Sequence, residues 1–203
     1  MHRSAVTHLK RVDPVMKALV ERVGPCRFKT SEQLTHFHAV ARSIVYQQLS
    51  GKAASTIFSR FAALFDGEAP TAPALAHLSD DAVRQTGISR QKLGYLRDLA
   101  AGVLERQLPI DDLHEFPDDE VIRHLTAVKG VGTWTAQMFL MFRLGRPDVL
   151  PTLDLGIQKA IQKAYRLRKL PRPDRVLAIG EKWSPHRTIA CWYLWRSIDG
   201  DGA

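Results

Sequence analysis

The sequence has few cysteines and no long uncharged stretch. Its 203 residues include only two cysteines, Cys26 and Cys191, which excludes a cysteine-rich zinc or iron–sulfur framework. The longest run without Asp, Glu, Lys or Arg, residues 130–142, is shorter than the ~20 apolar residues that a membrane span needs. The N-terminus is basic but has no apolar stretch, so it predicts no secretory signal. We therefore expect a cytoplasmic protein with no membrane partner.

Metal-binding and cofactor-binding patterns are also scarce. The eight histidines are scattered, and His36 and His38, two residues apart, cannot share a helix face. No cluster of carboxylates and histidines has metal-ligand spacing, which weighs against a metal-dependent nuclease. We therefore predict neither a metal site nor a cofactor.

Positive charge is concentrated in the last part of the chain. The net charge is +8, and residues 1–120 contribute nothing to it, with 15 basic and 15 acidic side chains. Residues 121–203 contain 14 basic and 6 acidic side chains. A basic excess in one region indicates a polyanionic partner, with nucleic acid as the first candidate. The alternative is a solvated basic surface without a partner.

Helix signals follow one another along the chain, and no strand pattern is found. Asp13 before Pro14 is typical of a helix start, and Gly24 with Pro25 ends that helix. Further helix starts are predicted at Ser31 and Ser89, as caps, and near Lys52, Asp118, Thr133, Leu155, Asp174 and Pro185. The Pro/Ala-rich residues 68–74 predict a loop. These patterns predict an all-α fold with two helical lobes.

The most informative segment is 125–142, LTAVKGVGTWTAQMFLMF. Two amphipathic helices are separated there only by residues 129–132, and we expect Gly130 and Gly132 to adopt positive φ and approach another molecule closely. Unpaired N–H groups at the start of the second helix could then bind a phosphate without reading sequence. An ordinary αα-hairpin is the alternative. The candidate DNA contacts are Lys129, Gly130, Val131, Gly132 and Thr133.

A second candidate is Asp154, in the segment DVLPTLDLGIQKA. It lies between Leu153 and Leu155 at the expected start of a helix, where a structural N-cap is one interpretation. The other is a carboxylate that the helix dipole stabilises in its ionised form, ready to act on a cationic centre. The local sequence leaves both open.

The hairpin followed by an Asp-bearing loop and helix resembles the helix-hairpin-helix DNA glycosylases, and within them bacterial 3-methyladenine DNA glycosylase II and its alkylpurine relatives. Four segments in the family order carry the resemblance, and they cover most of the chain after residue 40: IVYQQLSGKAAS (44–55), GISRQKLGYLRDLA (87–100), the hairpin with DVLPTLDLGIQKA (148–160), and WSPHRTIACWYLW (183–195).

The resemblance implies roles for individual residues. Asp154 corresponds to the catalytic aspartate of the family. Trp134 occupies the position at which family members with lyase activity have a lysine, so no amine is available there for a Schiff base. Trp195 corresponds to an aromatic residue near the base, whereas Trp192 is interpreted as core packing.

The same comparison assigns the base pocket and the wedge. The pocket is expected to include Trp134, Met138 and Trp195, and Met138 replaces a tyrosine that is common in relatives. The pair Gln47 and Gln48 matches the loop that inserts a wedge into the duplex, with a capped helix end as the alternative.

The implied function is excision of alkylated, cationic purines such as 3-methyladenine and 7-methylguanine from double-stranded DNA, by a monofunctional enzyme that leaves an abasic site. The alternatives are a glycosylase for deaminated or oxidised bases and a non-catalytic DNA-binding module. The implied protein is a monomer without an obligate protein partner, associated with the bacterial nucleoid. Residues 1–203 would form one glycosylase unit with a cleft between two lobes: about 30–145 with the hairpin, and 1–25 with about 150–203.

Overall fold

The computed structural model describes residues 2–31 and 33–199, and within them it contains helices and no strand. The prediction of an all-α fold is confirmed. The helices, in chain order, are α1 Arg3–Val12, α2 Pro14–Val23, α3 His36–Tyr46, α4 Gly51–Ala62, α5 Ala72–His77, α6 Asp80–Gln85, α7 Arg90–Leu104, α8 Asp118–Thr126, α9 Thr133–Phe142, α10 Leu155–Ala164, α11 Pro173–Gly180 and α12 Arg187–Asp199. None of these helices has the length and apolarity needed to cross a bilayer.

The chain divides into two compact units. One contains the described residues of 1–30 and 145–203, and the other contains those of 31–144. The first unit therefore combines α1 and α2 with α10, α11 and α12. Of the second predicted lobe, residue 1 and residues 200–203 lie outside the described residues.

In the first unit, α12 packs against α2 and α10, and α1 packs against α2. The contact surfaces are apolar side chains that are almost completely buried: Leu9, Met16, Ile157, Ile161, Tyr193 and Leu194. Burial of each large apolar side chain contributes about 1.5–3 kcal/mol, so this core holds together segments that are far apart in sequence.

A buried carboxylate joins three segments of the first unit. Asp13 caps α2 by accepting hydrogen bonds from the backbone N–H groups of Val15 and Met16. Its Oδ2 also accepts from the Tyr165 hydroxyl and from Trp183 Nε1 at 2.9 Å, and pairs with Lys182 Nζ at 3.2 Å. Burial would raise the pKa of Asp13, but these hydrogen bonds outweigh it and hold the pKa below its usual value.

In the second unit, α7 packs against α3, α5 and α6, while α8 and α9 form the predicted hairpin. The buried apolar residues of this unit include Ile44, Phe61, Leu75, Leu96, Leu99, Leu125 and Leu140. The long helix α7 is capped by Ser89, whose side chain accepts a hydrogen bond from Lys92 N, as predicted.

Two local predictions need correction, and one helix start agrees to within two residues. Ser31 does not cap α3; Thr35 does, and its side chain accepts from His38 N. The predicted loop 68–74 overlaps α5, because Thr71 caps that helix and a proline is tolerated in its first turn. The last helix, α12, begins at Arg187, two residues after the predicted start near Pro185.

Candidate functional site

Asp154 lies at the N-cap of α10 and is 8% exposed. Its Oδ1 accepts two hydrogen bonds, from Ile157 N at 2.7 Å and from Trp195 Nε1 at 3.0 Å. The first of these bonds is the ordinary capping contact of a helix start. The second comes from α12, so the orientation of the carboxylate is set by a tertiary contact as well as by the local turn.

The loop before Asp154 is attached to α12. Arg187 donates from Nε and from a terminal nitrogen to the two oxygens of Asp148, both at 2.8 Å. Val149 N donates to the Thr188 hydroxyl at 3.1 Å. Burial would raise the pKa of Asp148, but its hydrogen bonds from Arg187 and Ser184 outweigh this and lower it. A bidentate pair of this kind fixes position as well as charge.

One face of α12 therefore supports the whole loop, because Arg187, Cys191 and Trp195 follow one another at four-residue spacing. Cys191 is fully buried, and burial raises the pKa of its thiol, which stays neutral. Its sulfur lies 3.8 Å from the Val149 carbonyl oxygen. The thiol acts as a packing group between the two polar anchors.

Gly156 is required by the same arrangement. A Cβ at this position would lie 3.0 Å from Asp154 Oδ1 and 3.1 Å from Trp195 Cδ1. Both distances are tighter than ordinary van der Waals contact, so a side chain here would press on the bond between the indole and the carboxylate. The D-L-G pattern thus has a packing reason in this chain.

This arrangement can provide a fixed negative charge. The carboxylate is buried, and its surroundings are less polar than water, so its electrostatic interactions are stronger than at the surface. It lies at the positive end of the α10 dipole, which favours an anion. A carboxylate held in this way can stabilise a nearby cation and can accept a proton from water.

The hairpin turn, residues 129–132, differs from the prediction at one glycine. Gly130 has φ +79°, as expected, and a Cβ there would lie 2.2 Å from Tyr95 Cδ2. Gly132 has φ −93° and ψ 171°, so the expected positive φ is wrong. It is the N-cap of α9, and N-cap residues adopt this extended conformation. A Cβ at Gly132 would meet no other atom within 4 Å among the described residues.

The other predicted DNA contacts have different environments. Lys129 donates from its backbone N to Asp98 Oδ2 at 2.8 Å, and its ammonium lies 3.1 Å from Asp98 Oδ1. Val131 is buried and donates to the Val128 carbonyl. Thr133 is exposed and opens α9, whose N-cap is a glycine and provides no side-chain cap. A phosphate can bind at a helix start of this kind.

The aromatic candidates are divided between the two units. Trp134 lies in the first turn of α9 and is 47% exposed. Met138 is one helical turn further on the same face, where it lines a cavity of about 300 Å³ with Phe139. Trp195, in the other unit, is bonded to Asp154. Trp192 is buried, so its interpretation as core packing is confirmed.

The two glutamines differ in their contacts. Gln47 donates from Nε2 to the Gly130 carbonyl at 2.8 Å, so its side chain bonds to the hairpin turn. Gln48 is exposed and has φ +55°, a backbone region that non-glycine residues rarely adopt. The segment 47–50, which we name the wedge loop, follows the C-terminus of α3 directly.

Sequence reasoning missed three side chains that hold these segments. Lys92, Tyr95 and Asp98 of α7 all contact the wedge loop or the hairpin turn. Their spacing of three residues places them on one helix face. That spacing was the available signal, although polar residues at helical spacing usually mark only a solvated face. The described residues contain no group of three or more His, Cys, Asp and Glu arranged to hold a metal.

The sequence matches a known family over most of its length. Residues 41–186 match the HhH-GPD superfamily base excision DNA repair protein family. The chain is similar to DNA-3-methyladenine glycosylase 1 of Schizosaccharomyces pombe, with 35% identity over 95% of this chain and 86% of that protein.

Solved structures show the same similarity. The S. pombe 3-methyladenine DNA glycosylase Mag1, determined in complex with abasic DNA, matches with a TM-score of 0.87 at 34% identity and 97% coverage of both chains. DNA-3-methyladenine glycosidase from Bacillus halodurans matches with a TM-score of 0.86 at 35% identity, over 98% of this chain and 91% of that chain.

Proposed function

The chain belongs to the HhH-GPD superfamily of base excision DNA repair proteins, and from this premise we propose that it is an alkylbase DNA N-glycosylase. Its substrates are cationic purines such as 3-methyladenine and 7-methylguanine in double-stranded DNA. Its products are the free base and an abasic site. The observation that carries the proposal is the buried Asp154 carboxylate, which a helix start and a tryptophan hold in one orientation.

The chemistry follows from the charge of the substrate. Alkylation at N3 or N7 makes the purine cationic, so the base departs with the electron pair of the C1′–N bond and becomes neutral without prior protonation. Positive charge then develops on the deoxyribose, and Asp154 stabilises it. The oxygen of a water molecule bonds to C1′, and Asp154 accepts the proton that this water loses.

Tryptophan side chains provide the affinity for a cationic ring. In the unit 31–144, the exposed indole of Trp134 can stack on such a base, a contact worth roughly 0.5–2 kcal/mol. In the other unit, Trp195 offers an indole beside Asp154. Met138, on the same helix face as Trp134, contributes a polarisable but non-aromatic wall. Extrusion of the base costs less when it is damaged, and this favours lesions over normal purines.

The enzyme is expected to leave the DNA strand intact. Lyase chemistry needs an amine that forms a Schiff base with the sugar, and Trp134 occupies the position where lyase members of the family have that amine. The S. pombe relative was solved with abasic DNA, which is the product this reaction would leave.

DNA is held by two features in this proposal. The hairpin turn and the uncapped start of α9 bind one phosphate through backbone N–H groups. The basic excess lies mainly in residues 163–175, at the C-terminal end of α10 and beyond it. Its exposed cations are Lys163, Arg166, Arg168, Lys169, Arg172 and Arg175. These side chains attract the duplex without reading its sequence.

We further infer a monomeric protein that acts at the chromosome, in the cytoplasmic nucleoid of a bacterial cell.

Release of bases from DNA treated with a methylating agent tests the proposed function, provided that each released base is identified. We expect 3-methyladenine and 7-methylguanine in the supernatant and intact strands until alkali is added. If only deaminated or oxidised bases are released from defined duplexes, the protein is a glycosylase for that class of base. If the protein binds DNA tightly and releases no base, it is a non-catalytic DNA-binding module.

A further inference from the structure

One face of α7 contacts both segments that the proposed function places on DNA. Lys92, Tyr95 and Asp98 follow one another at three-residue spacing on this helix, within the unit 31–144. Lys92 contacts the start of the wedge loop, while Tyr95 and Asp98 contact the hairpin turn. Since α7 is a continuous helix that is anchored by its buried apolar residues, it holds the two segments at a fixed separation.

Lys92 closes the C-terminus of α3. Its ammonium donates to the Val45 carbonyl at 2.7 Å and to the Gln47 carbonyl at 2.6 Å. Carbonyls in the last turn of a helix have no partner within the helix, and a cation there is also favoured by the helix dipole. Lys92 thus determines where the backbone leaves α3 and enters the wedge loop. Burial lowers the pKa of this ammonium.

The hairpin turn is attached to the same helix face. Gly130 packs so closely on the Tyr95 ring that a Cβ would lie 2.2 Å from it. Asp98 accepts from Lys129 N at 2.8 Å, and this hydrogen bond is the main reason that the pKa of Asp98 is lowered. Gln47 completes the connection by donating directly to the Gly130 carbonyl at 2.8 Å.

These contacts distinguish the two glutamines. The amide of Gln47 is bonded to the turn, whereas Gln48 is exposed at the tip of the loop with a positive φ. Arg106 and Arg166 have the same left-handed conformation two residues after the last residue of their helices, so Gln48 has a backbone position typical of a helix end. The bonds of Lys92 and Gln47 fix the residue that precedes it.

We propose that Lys92 is a positioning residue for base extrusion. By capping α3 and bonding to the Gln47 carbonyl, Lys92 holds Gln48, the proposed wedge, at a fixed position relative to the phosphate that the hairpin turn binds. This inference rests on the proposed function, since it gives the wedge loop its task. Two of the three N–H donors of the Lys92 ammonium are used by the Val45 and Gln47 carbonyls, so the proposed role is to hold the backbone and not to bind a phosphate.

The test compares Lys92→Met with wild type and with Lys92→Arg, which keeps two donors and the charge. Lys17→Met, on an exposed position of α2, is the control for loss of one positive charge. Base extrusion is followed by the fluorescence of a 2-aminopurine next to a single 7-methylguanine, and excision is measured under single-turnover conditions. Thermal midpoints and binding to undamaged duplex are measured for every variant.

We expect Lys92→Met to bind undamaged DNA normally, to give a weaker extrusion signal, and to excise between about tenfold and a hundredfold more slowly. Lys92→Arg should recover most of the signal, and Lys17→Met should behave as wild type. The decisive substrate has the lesion opposite an abasic site, where little stacking and pairing must be broken. The defect of Lys92→Met should become much smaller on it.

A defect of equal size on the paired and unpaired lesions would overturn the proposal, as would wild-type extrusion by Lys92→Met. A variant that loses DNA binding together with its thermal transition would also count against it, since the role would then be stability alone. Failure of the proposed function would give a different result, because wild-type protein would then release no base from either substrate. The extrusion signals of wild type and Lys92→Met could still be compared, so the role of Lys92 would be tested separately.

Discussion

Asp154→Asn separates the negative charge of this residue from its role as a helix cap. The amide oxygen can replace Oδ1 and accept from Ile157 N and Trp195 Nε1, the two bonds seen in the structure. Asn is about as good an N-cap as Asp. The lost interaction with the α10 dipole is worth about 0.3–1 kcal/mol, and the removal of a buried charge offsets part of it. The thermal midpoint should therefore fall by no more than about 2–4 °C.

The effect on the chemistry should be much larger. In the proposed mechanism, the substitution removes the negative charge that stabilises the sugar as it becomes cationic, and loss of one preorganised electrostatic group costs about 10²–10³ in rate. Binding to lesion DNA should be retained, because the charge of the ground-state substrate is on the base. The assay is release of 3-methyladenine from methylated DNA under single-turnover conditions, with enzyme in excess over lesions.

Asp13→Asn is the matched control, since Asp13 is also a buried aspartate at a helix N-cap. Here the substitution places an amide N–H₂ against Trp183, Tyr165 or Lys182, all of which donate to Oδ2. An unsatisfied buried group costs about 1–3 kcal/mol, so this variant should be less stable but active at a temperature where it is folded. Near wild-type release by folded Asp154→Asn would refute the catalytic assignment and the mechanism with it.

Four further outcomes follow. Gly132→Val should weaken DNA binding with the fold intact, because the new Cβ meets no atom of the described protein but would block a phosphate. Gly94→Ala, at an equally open glycine, should bind DNA normally. Equal DNA affinities of the two variants would show that the turn does not contact DNA. Borohydride should trap no covalent protein–DNA adduct, since Trp134 replaces the lyase amine; a trapped adduct would contradict this. DNA affinity should fall steeply with salt, and Arg168→Gln should reduce the slope of log affinity against log salt concentration by about 1. If the variant has the wild-type slope, Arg168 does not contact DNA. The pKa of Asp13 is lower in the folded protein than in the unfolded chain. Its contribution to stability is therefore complete well above pH 4 and is lost as the pH falls through the folded pKa. Between pH 6 and pH 3, the thermal midpoint of wild type should fall by more than that of Asp13→Asn.

Helix starts could be predicted wherever the signal was local and had no competitor. Asp13 with Pro14 and Ser89 each combine a capping oxygen with a following apolar pattern, and both cap helices in the structure. Ser31 carries the same signal but has a competitor four residues later. Thr35 caps α3, whereas Ser31 N donates to the Phe142 carbonyl, a long-range contact that no local pattern contains.

Prolines and glycines misled the prediction where their role depends on position. The prolines of residues 68–74 indicated a loop, yet Pro73 lies in the first turn of α5, where its missing N–H has no cost. Gly132 was expected to adopt the positive φ that glycine allows, but it is an extended N-cap. Of the two glycines in the hairpin turn, Gly130 has the positive φ that favours glycine, and the packing of Tyr95 adds a second requirement.

The candidate site could be predicted only in part. Asp154 was found because its capping position is local, and the resemblance supplied Trp195 from a segment about 40 residues away. The bond between them is tertiary, as are the pair of Asp148 with Arg187 and the bonds of Lys92 to two carbonyls. Polar residues of this kind look like an ordinary solvated surface in sequence, because their partners are backbone groups or distant side chains.

The structure shows Asp154 as a helix cap, and this role is compatible with the catalytic role that we propose for it. The bonds from Ile157 N and Trp195 Nε1 that make the residue a cap are also those that keep its carboxylate in one orientation before substrate binds. A preorganised charge is effective because it does not need to reorient during the reaction. The packing of Gly156 against both partners and the attachment of the loop through Arg187 extend this rigidity. In the proposed mechanism, the cap thus provides the preorganisation, and the charge that Asp154→Asn removes provides the stabilisation of the sugar cation.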